Sequence, residues 1–174
     1  MAIGAKSHDK ENVTNGISLM VSILVRYPEI SALYFDPKSH TLKFTFLVMG
    51  SMSSDRKADF QHILNLSLDV FHRIDGNKKH KTNIRFDDFD DVTRIEIIRN
   101  TETLSQEEIS MIIQLVESNF PDKLVVDRNE TMMEEDLLLQ EEIIDTMLLD
   151  LKTHTQERNF IAYREDGRVM VFNM

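Results

Sequence analysis

The segment from Thr131 to Met174 decides the fold, and it reads TMMEEDLLLQEEIIDTMLLDLKTHTQERNFIAYREDGRVMVFNM. Thr131 and Glu134 have the spacing of a capping box. In this motif the Thr hydroxyl accepts a hydrogen bond from a backbone amide of the first helical turn, and the Glu carboxylate accepts one from the backbone amide of the Thr. The residues that follow contain no Gly or Pro and are rich in Leu, Met, Glu and Gln, which favour helices. The sequence therefore predicts a long helix over residues 132–152.

The predicted helix 132–152 is apolar on more than one face. At about 100° per residue, one stripe suited to a core is formed by Met133, Leu137, Ile144, Met147, Leu148 and Leu151. Leu138, Leu139 and Leu149 point to the other side, where a surface helix carries charges. Two interpretations remain open. Either neighbours within the fold enclose this helix on both sides, or its second apolar face is an interface of a two-fold homodimer.

The end of the chain has the pattern of a β-hairpin. Asp166-Gly167 suits a type I′ turn, because both central residues of that turn need a positive φ. The register that follows from the turn pairs Glu165 with Arg168, Tyr163 with Met170, and Ile161 with Phe172. Since apolar residues occupy both faces of the two strands, we expect the hairpin to be covered on both sides.

The rest of the chain alternates between helical and extended patterns. In order these are a helix that ends before Pro28, a hairpin (31–35 and 41–49), a helix (55–75), a charged loop (77–91), a strand (92–99), a helix capped by Ser105 and Glu108, and a short strand (123–126). This order predicts an α+β fold, in which a mixed, mostly antiparallel sheet of about five or six strands carries four helices and ends in a C-terminal β-hairpin.

The length of 174 residues fits a single domain spanning 1–174. Residues 1–11 are polar enough that we expect disorder there. Residues 131–174, the long helix and hairpin, are a candidate dimerisation element.

Composition excludes several classes of function. The chain has 30 acidic and 20 basic residues, and a formal charge of −10 opposes a general affinity for nucleic acid or anionic membranes. The absence of Cys excludes disulfides, thiolate catalysis and Cys-ligated metals. The N-terminal residues lack the layout of a signal peptide, and no apolar run approaches the ~20 residues that cross a bilayer. We therefore expect a cytoplasmic protein without membrane contact.

Two charged clusters are candidate sites for chemistry. Asp87, Asp88, Asp90 and Asp91 could hold a hard cation, with His80 as a further ligand, although they lack the spacing of a calcium loop. A solvated acidic loop is the simpler interpretation. Residues 78–81 form a basic loop that could contact RNA, although no aromatic residues lie among its charges.

The sequence contains no nucleophile elbow, phosphate-binding loop or dinucleotide fingerprint, so it predicts no catalytic residue and no cofactor. The leading hypothesis is a non-catalytic protein-interaction or regulatory module that self-associates through the 132–152 helix, with Leu138, Leu139 and Leu149 at the interface. Its alternatives are a metal-dependent hydrolase or small-ligand-binding protein that uses residues 87–91, and an RNA-binding protein that uses residues 78–81.

Overall fold

The computed structural model describes residues 3–74, 76, 82–127, 132–154 and 156–174, and within them it shows four helices and six strands. In chain order these are α1 (Ile3–Arg26), β1 (Ala32–Asp36), β2 (Thr41–Met49), α2 (Ser54–Ile74), β3 (Asn83–Phe89), β4 (Val92–Asn100), α3 (Gln106–Asn119), α4 (Glu134–Thr153), β5 (Phe160–Glu165) and β6 (Arg168–Asn173). The predicted α+β fold with a C-terminal hairpin is confirmed.

The six strands form one sheet in the order β3-β4-β2-β1-β5-β6, and every pairing is antiparallel. β1 and β2 form the hairpin predicted around Pro37. Its turn is braced by Asp36, whose Oδ1 accepts from the amide of Lys38 at 3.0 Å, an interaction that short Asp side chains commonly make in turns.

The sheet has one buried face and one face that is partly open to solvent. On β2 the alternate residues Leu42, Phe44, Phe46 and Val48 are buried, and Ile95 and Ile97 of β4 extend the same surface. The intervening residues form the other face, where Lys43 pairs with Glu96 at 3.0 Å. Period-two alternation of this kind is typical of a sheet packed on one side only.

Polar contacts tie α1 to the sheet and to α3. The guanidinium of Arg164 donates to the carbonyl oxygens of Tyr27 and Ile30 at 2.7 and 3.0 Å, which satisfies acceptors just beyond the end of α1. Burial lowers the pKa of Arg164.

The hydroxyl of Tyr27 accepts from Gln106 at 2.6 Å, and burial raises the pKa of Tyr27.

Two predictions about the middle of the chain are wrong. The charged loop predicted for 77–91 contains β3, because Ile84 and Phe86 alternate with polar residues and pack on the core, and Phe86 lies edge-on to Phe60 at 6.5 Å. The short strand predicted for 123–126 is reduced to one isolated bridge between Val48 and Leu124.

The predicted coverage of the C-terminal hairpin is also wrong. Its register is as predicted, including Glu165 opposite Arg168 and Tyr163 opposite Met170. However, β6 is an edge strand of the sheet, and Phe172 remains exposed, with the ring of Tyr163 stacked on it at 5.7 Å. The apolar pattern reports how hydrophobic a strand is, but not whether a neighbour covers it.

Two helices begin at least two residues away from their predicted start. α4 begins at Glu134 rather than Met132, and its N-cap is Met133, which makes no side-chain capping hydrogen bond. The predicted cap residue Thr131 lies outside the described residues. Three acidic residues in the first turn of α4 favour this start through the helix dipole. α1 begins at Ile3, within the segment 1–11 for which the sequence predicts disorder.

Gly16 allows α1 to approach the sheet closely. A Cβ atom at this position would lie 2.6 Å from Cε2 of Phe160, closer than packed atoms tolerate. The Phe160 ring is buried and stacks on Phe35 at 6.4 Å, so it has little room to move aside. The glycine therefore weakens the helix locally but permits its packing.

We expect Gly16→Ala to destabilise the protein although Ala favours helix by about 1 kcal/mol, because overpacking a core costs about 1–3 kcal/mol. In a Phe160→Leu background the same substitution should become stabilising, since the smaller side chain frees the space. Urea denaturation of the four proteins measures this coupling. Equal effects of Gly16→Ala in both backgrounds would contradict it.

Candidate functional site

The outward side of α4 is the candidate site, because three of its leucines are more than half exposed. Leu138, Leu139 and Leu149 expose 54%, 52% and 61% of their surface. On the opposite side of the same helix, Ile144 and Leu148 are buried in the core. We call the exposed side of residues 134–153 the α4 outer face.

α4 is fixed along α1 in the antiparallel direction. Arg26 of α1 forms an ion pair with Glu141 at 2.8 Å, and Asn15 donates to Asp150 at 3.0 Å. Residue numbers rise along α1 as they fall along α4, which defines the antiparallel orientation. These contacts engage the acidic residues beside the buried stripe and leave the carboxylates of the α4 outer face exposed.

The three exposed leucines do not share one line on the helix. Leu138 and Leu149 are eleven residues apart, which places them within about 20° of each other on the helical wheel and about 16 Å apart along the axis. Leu139 lies about 100° from Leu138. A single flat partner surface can therefore bury Leu138 and Leu149 but not all three.

The α4 outer face is mainly acidic, with one base near its end. Glu142 and Asp145 lie between Leu138 and Leu149, Glu134, Glu135 and Asp136 lie at the N-terminal end, and Lys152 lies near the C-terminal end. All of these side chains are exposed. Among the residues that the structure describes, neither Glu142, Asp145 nor Lys152 forms an ion pair.

A second exposed apolar stripe lies on α2. Leu66, Val70 and Ile74 are spaced by four residues and are all more than half exposed. Ile74, in the last turn of α2, lies outside the buried stripe of Phe60, Leu64 and Leu68. The i, i+4, i+8 spacing could have identified this surface.

The acidic cluster is divided between the two faces of β3 and the turn that follows it. Asp87 and Asp88 are neighbours on β3 and point to opposite faces of the sheet. Asp87 pairs with Arg94 at 2.8 Å, and Asp88 pairs with Lys57 at 2.6 Å. The hydrogen bonds of Asp88 with Lys57 and Thr93 hold its pKa below the ordinary value.

Asp90 and Asp91 lie in the turn that follows β3, and no group of three potential ligands comes together in the described part of the chain. His80 and the basic loop 78–81 lie outside the described residues.

A buried charged cluster was missed by the sequence analysis. Glu108 accepts from Arg99 through both oxygens, at 2.8 and 3.2 Å, and it also bonds Nε2 of His72. Nη1 of Arg99 donates to Thr82 at 3.1 Å. His72, Arg99 and Glu108 are all buried, so the cluster joins α2, β4 and α3 but is closed to a substrate.

Sequence signals for this cluster do exist. Arg99 follows Ile95 and Ile97 in the inward positions of β4, so alternation alone places a guanidinium inside the fold. Glu108 is the expected partner in the capping box of α3. The hydroxyl of Ser105 does accept from the amide of Glu108 at 3.2 Å, but the Glu108 carboxylate turns inward to Arg99.

One open cavity of about 510 Å³ lies between the β1–β2 turn and the end of α4. Lys38, Lys152 and His154 line it together with Glu102 and Glu157. The mixed signs give no single preference for an anion or a cation. His154 lies 3.0 Å from Asp150, and this pair is near the surface rather than in a closed site.

No protein-family model, no curated protein and no solved structure matches the chain. Within the described helices, none combines the length and the apolar run that a bilayer crossing requires. The interpretation of the site therefore depends on its own geometry.

We expect Glu108→Gln to destabilise the fold by about 3 kcal/mol, because it leaves the buried Arg99 charge uncompensated. Glu107→Gln, one position earlier and exposed, should change stability by less than about 0.5 kcal/mol. Combining Arg99→Met with Glu108→Gln should recover part of the loss, since neither charge then remains buried. Chemical denaturation measures all three, and equal effects at positions 107 and 108 would contradict the assignment.

We expect millimolar Mg²⁺ or Mn²⁺ to leave the melting temperature unchanged, because Asp87 and Asp88 are already bound to cationic side chains. Thermal unfolding with and without the metal provides the measurement. A stabilisation that disappears in Asp88→Asn and persists in Asp55→Asn would restore the metal-site hypothesis.

Proposed function

We propose that this protein is a non-catalytic interaction module that self-associates through α4. The observation that carries the proposal is the two-sided apolar character of this helix. One stripe is buried against the chain's own core, while Leu138, Leu139 and Leu149 are each more than half exposed. Exposed apolar patches on stable domains commonly mark interaction sites.

A second copy of the chain is the simplest occupant of this surface. Two-fold dimers are the commonest oligomers, and their interfaces use the same patch on both copies. Burying a leucine side chain contributes roughly 1.5–3 kcal/mol, so each exposed leucine that meets the second copy can offset part of the entropic cost of association.

The alternative functions have less support. A metal-dependent hydrolase would need Asp87 and Asp88 to act together, yet they diverge to opposite faces and are bound to Arg94 and Lys57. RNA binding would depend on residues 78–81, outside the described residues, and the net charge of −10 opposes it.

The test is the solution mass of the wild type and of two variants. At micromolar concentration, light scattering should return about twice the chain mass of 20.3 kDa. Leu138→Glu combined with Leu149→Glu should return the mass of one chain, because a charge on each anchor cannot be buried without a partner. Unchanged melting temperatures would show that the fold is intact, as expected for exposed positions.

Leu66→Glu on α2 is the matched comparison, since Leu66 is 56% exposed and lies on the other apolar stripe. This variant should remain dimeric. A wild type that is monomeric throughout, or a dimer that only Leu66→Glu dissociates, would overturn the proposal.

A further inference from the structure

We propose that the two-fold axis of the dimer passes through the α4 outer face at Leu149, with Asp145 of each copy beside Lys152 of the other. This inference rests on the proposed self-association and specifies where on α4 the second copy binds.

Three positions of the two-fold axis bring exposed leucines of two antiparallel α4 helices into contact. The axis can lie at Leu138, at Leu149, or midway between them. The midway position buries the most leucine surface, because Leu138 of each copy then meets Leu149 of the other. Hydrophobic contact alone would therefore favour the midway position.

Charge opposes the midway position. Glu142 and Asp145 lie between the two leucines, and with the axis midway each of these residues lies within about 2.5 Å of the axis, measured along the helix. Four carboxylates would then meet at the centre of the interface, and like charges placed against each other are destabilising. No base of the α4 outer face lies within this stretch to compensate them.

The axis at Leu138 has the same defect. Glu135 lies about 4.5 Å before Leu138 along the helix and Glu142 about 6 Å after it, and the two side chains lie within about 20° of each other on the helical wheel. Each Glu135 would therefore face Glu142 of the other copy. The N-terminal half of the α4 outer face therefore cannot bind itself without opposing carboxylates.

The axis at Leu149 brings opposite charges together. Asp145 lies about 6 Å before Leu149 along the helix and Lys152 about 4.5 Å after it. Rotation about this axis places each Lys152 within about 1.5 Å of Asp145 of the other copy, measured along the helix. The two side chains also lie within about 20° of each other on the helical wheel. The pairing occurs twice in the dimer, on either side of a Leu149–Leu149 contact.

The charges select the register of the dimer rather than provide its affinity. An exposed ion pair contributes little to the affinity of the dimer, whereas an arrangement that places like charges against each other is destabilised. Complementary charges therefore mainly determine which arrangement forms. Leu149 supplies the apolar contact, and Asp145 with Lys152 fixes the position of the axis.

The absence of Cys makes disulfide trapping a direct test. Under mild oxidation Leu149→Cys should form a covalent dimer, because the axis brings this position against its own copy. Leu138→Cys should not form one, because position 138 of each copy lies about 16 Å from the two-fold axis, measured along α4. Crosslinking at position 138 but not at position 149 would overturn the inference.

Charge reversal provides the second test. Asp145→Lys alone and Lys152→Glu alone should each raise the dimer Kd about three- to tenfold, since two exposed pairs become repulsive. The double variant should return to within about twofold of the wild-type Kd, because the pairs are restored with exchanged signs. The differences should shrink in high salt. Sedimentation over a concentration series measures each Kd, and a double variant no better than the single ones would overturn the inference.

The outcomes separate the two proposals. A wild type without any dimer removes the proposed function itself. A dimer that dissociates with Leu138→Glu and persists with Leu149→Glu keeps the function and overturns the position of the axis. A dimer that dissociates with Leu149→Glu and persists with Leu138→Glu supports both.

Discussion

The packing of α4 on α1 along one narrow stripe is the constraint on which the interpretation of this protein depends. Ile144 and Leu148 are the buried residues of α4, and the ion pair of Arg26 with Glu141 fixes the helix on the side of α1. A helix held along one stripe cannot cover its own second apolar face. Leu138 and Leu149 therefore remain on the surface, because α4 packs on the rest of the fold through its opposite side.

A buried charged cluster joins α3, which contacts α4, to α2 and β4. Glu108 in the first turn of α3 binds Arg99 of β4 and His72 of α2, so three elements meet at one carboxylate. A buried cluster of this kind adds little net stability, yet breaking it is costly, and it can hold neighbouring elements in one arrangement. α4 contacts both α1 and α3. Through α3, the helix that carries the α4 outer face therefore packs on elements that this cluster joins.

Most of the fold could be predicted from the sequence because its signals are local. The Asp166-Gly167 turn, the Ser105 cap and the alternation of β2 each involve neighbouring residues, and the structure has all three features. The errors concern coverage by distant residues. β3 was missed because its charges obscured Ile84 and Phe86, and the edge position of β6 depends on how β5 pairs with β1. Local pattern determines which surfaces are apolar, but the topology decides which of them are covered.

The same distinction explains how much of the candidate site was accessible to sequence reasoning. The excess of leucine on α4 can be seen in the sequence, whereas the choice between an enclosed helix and an exposed one cannot, because it depends on α1, which is more than one hundred residues away in the chain. Once the buried stripe is assigned, the remaining exposed side has a defined order of charges, acidic through Asp145 and basic at Lys152. That order is not symmetric along the helix, so a second copy meets opposite charges at one end only. The asymmetry of charge, rather than the number of leucines, then determines where two copies can meet.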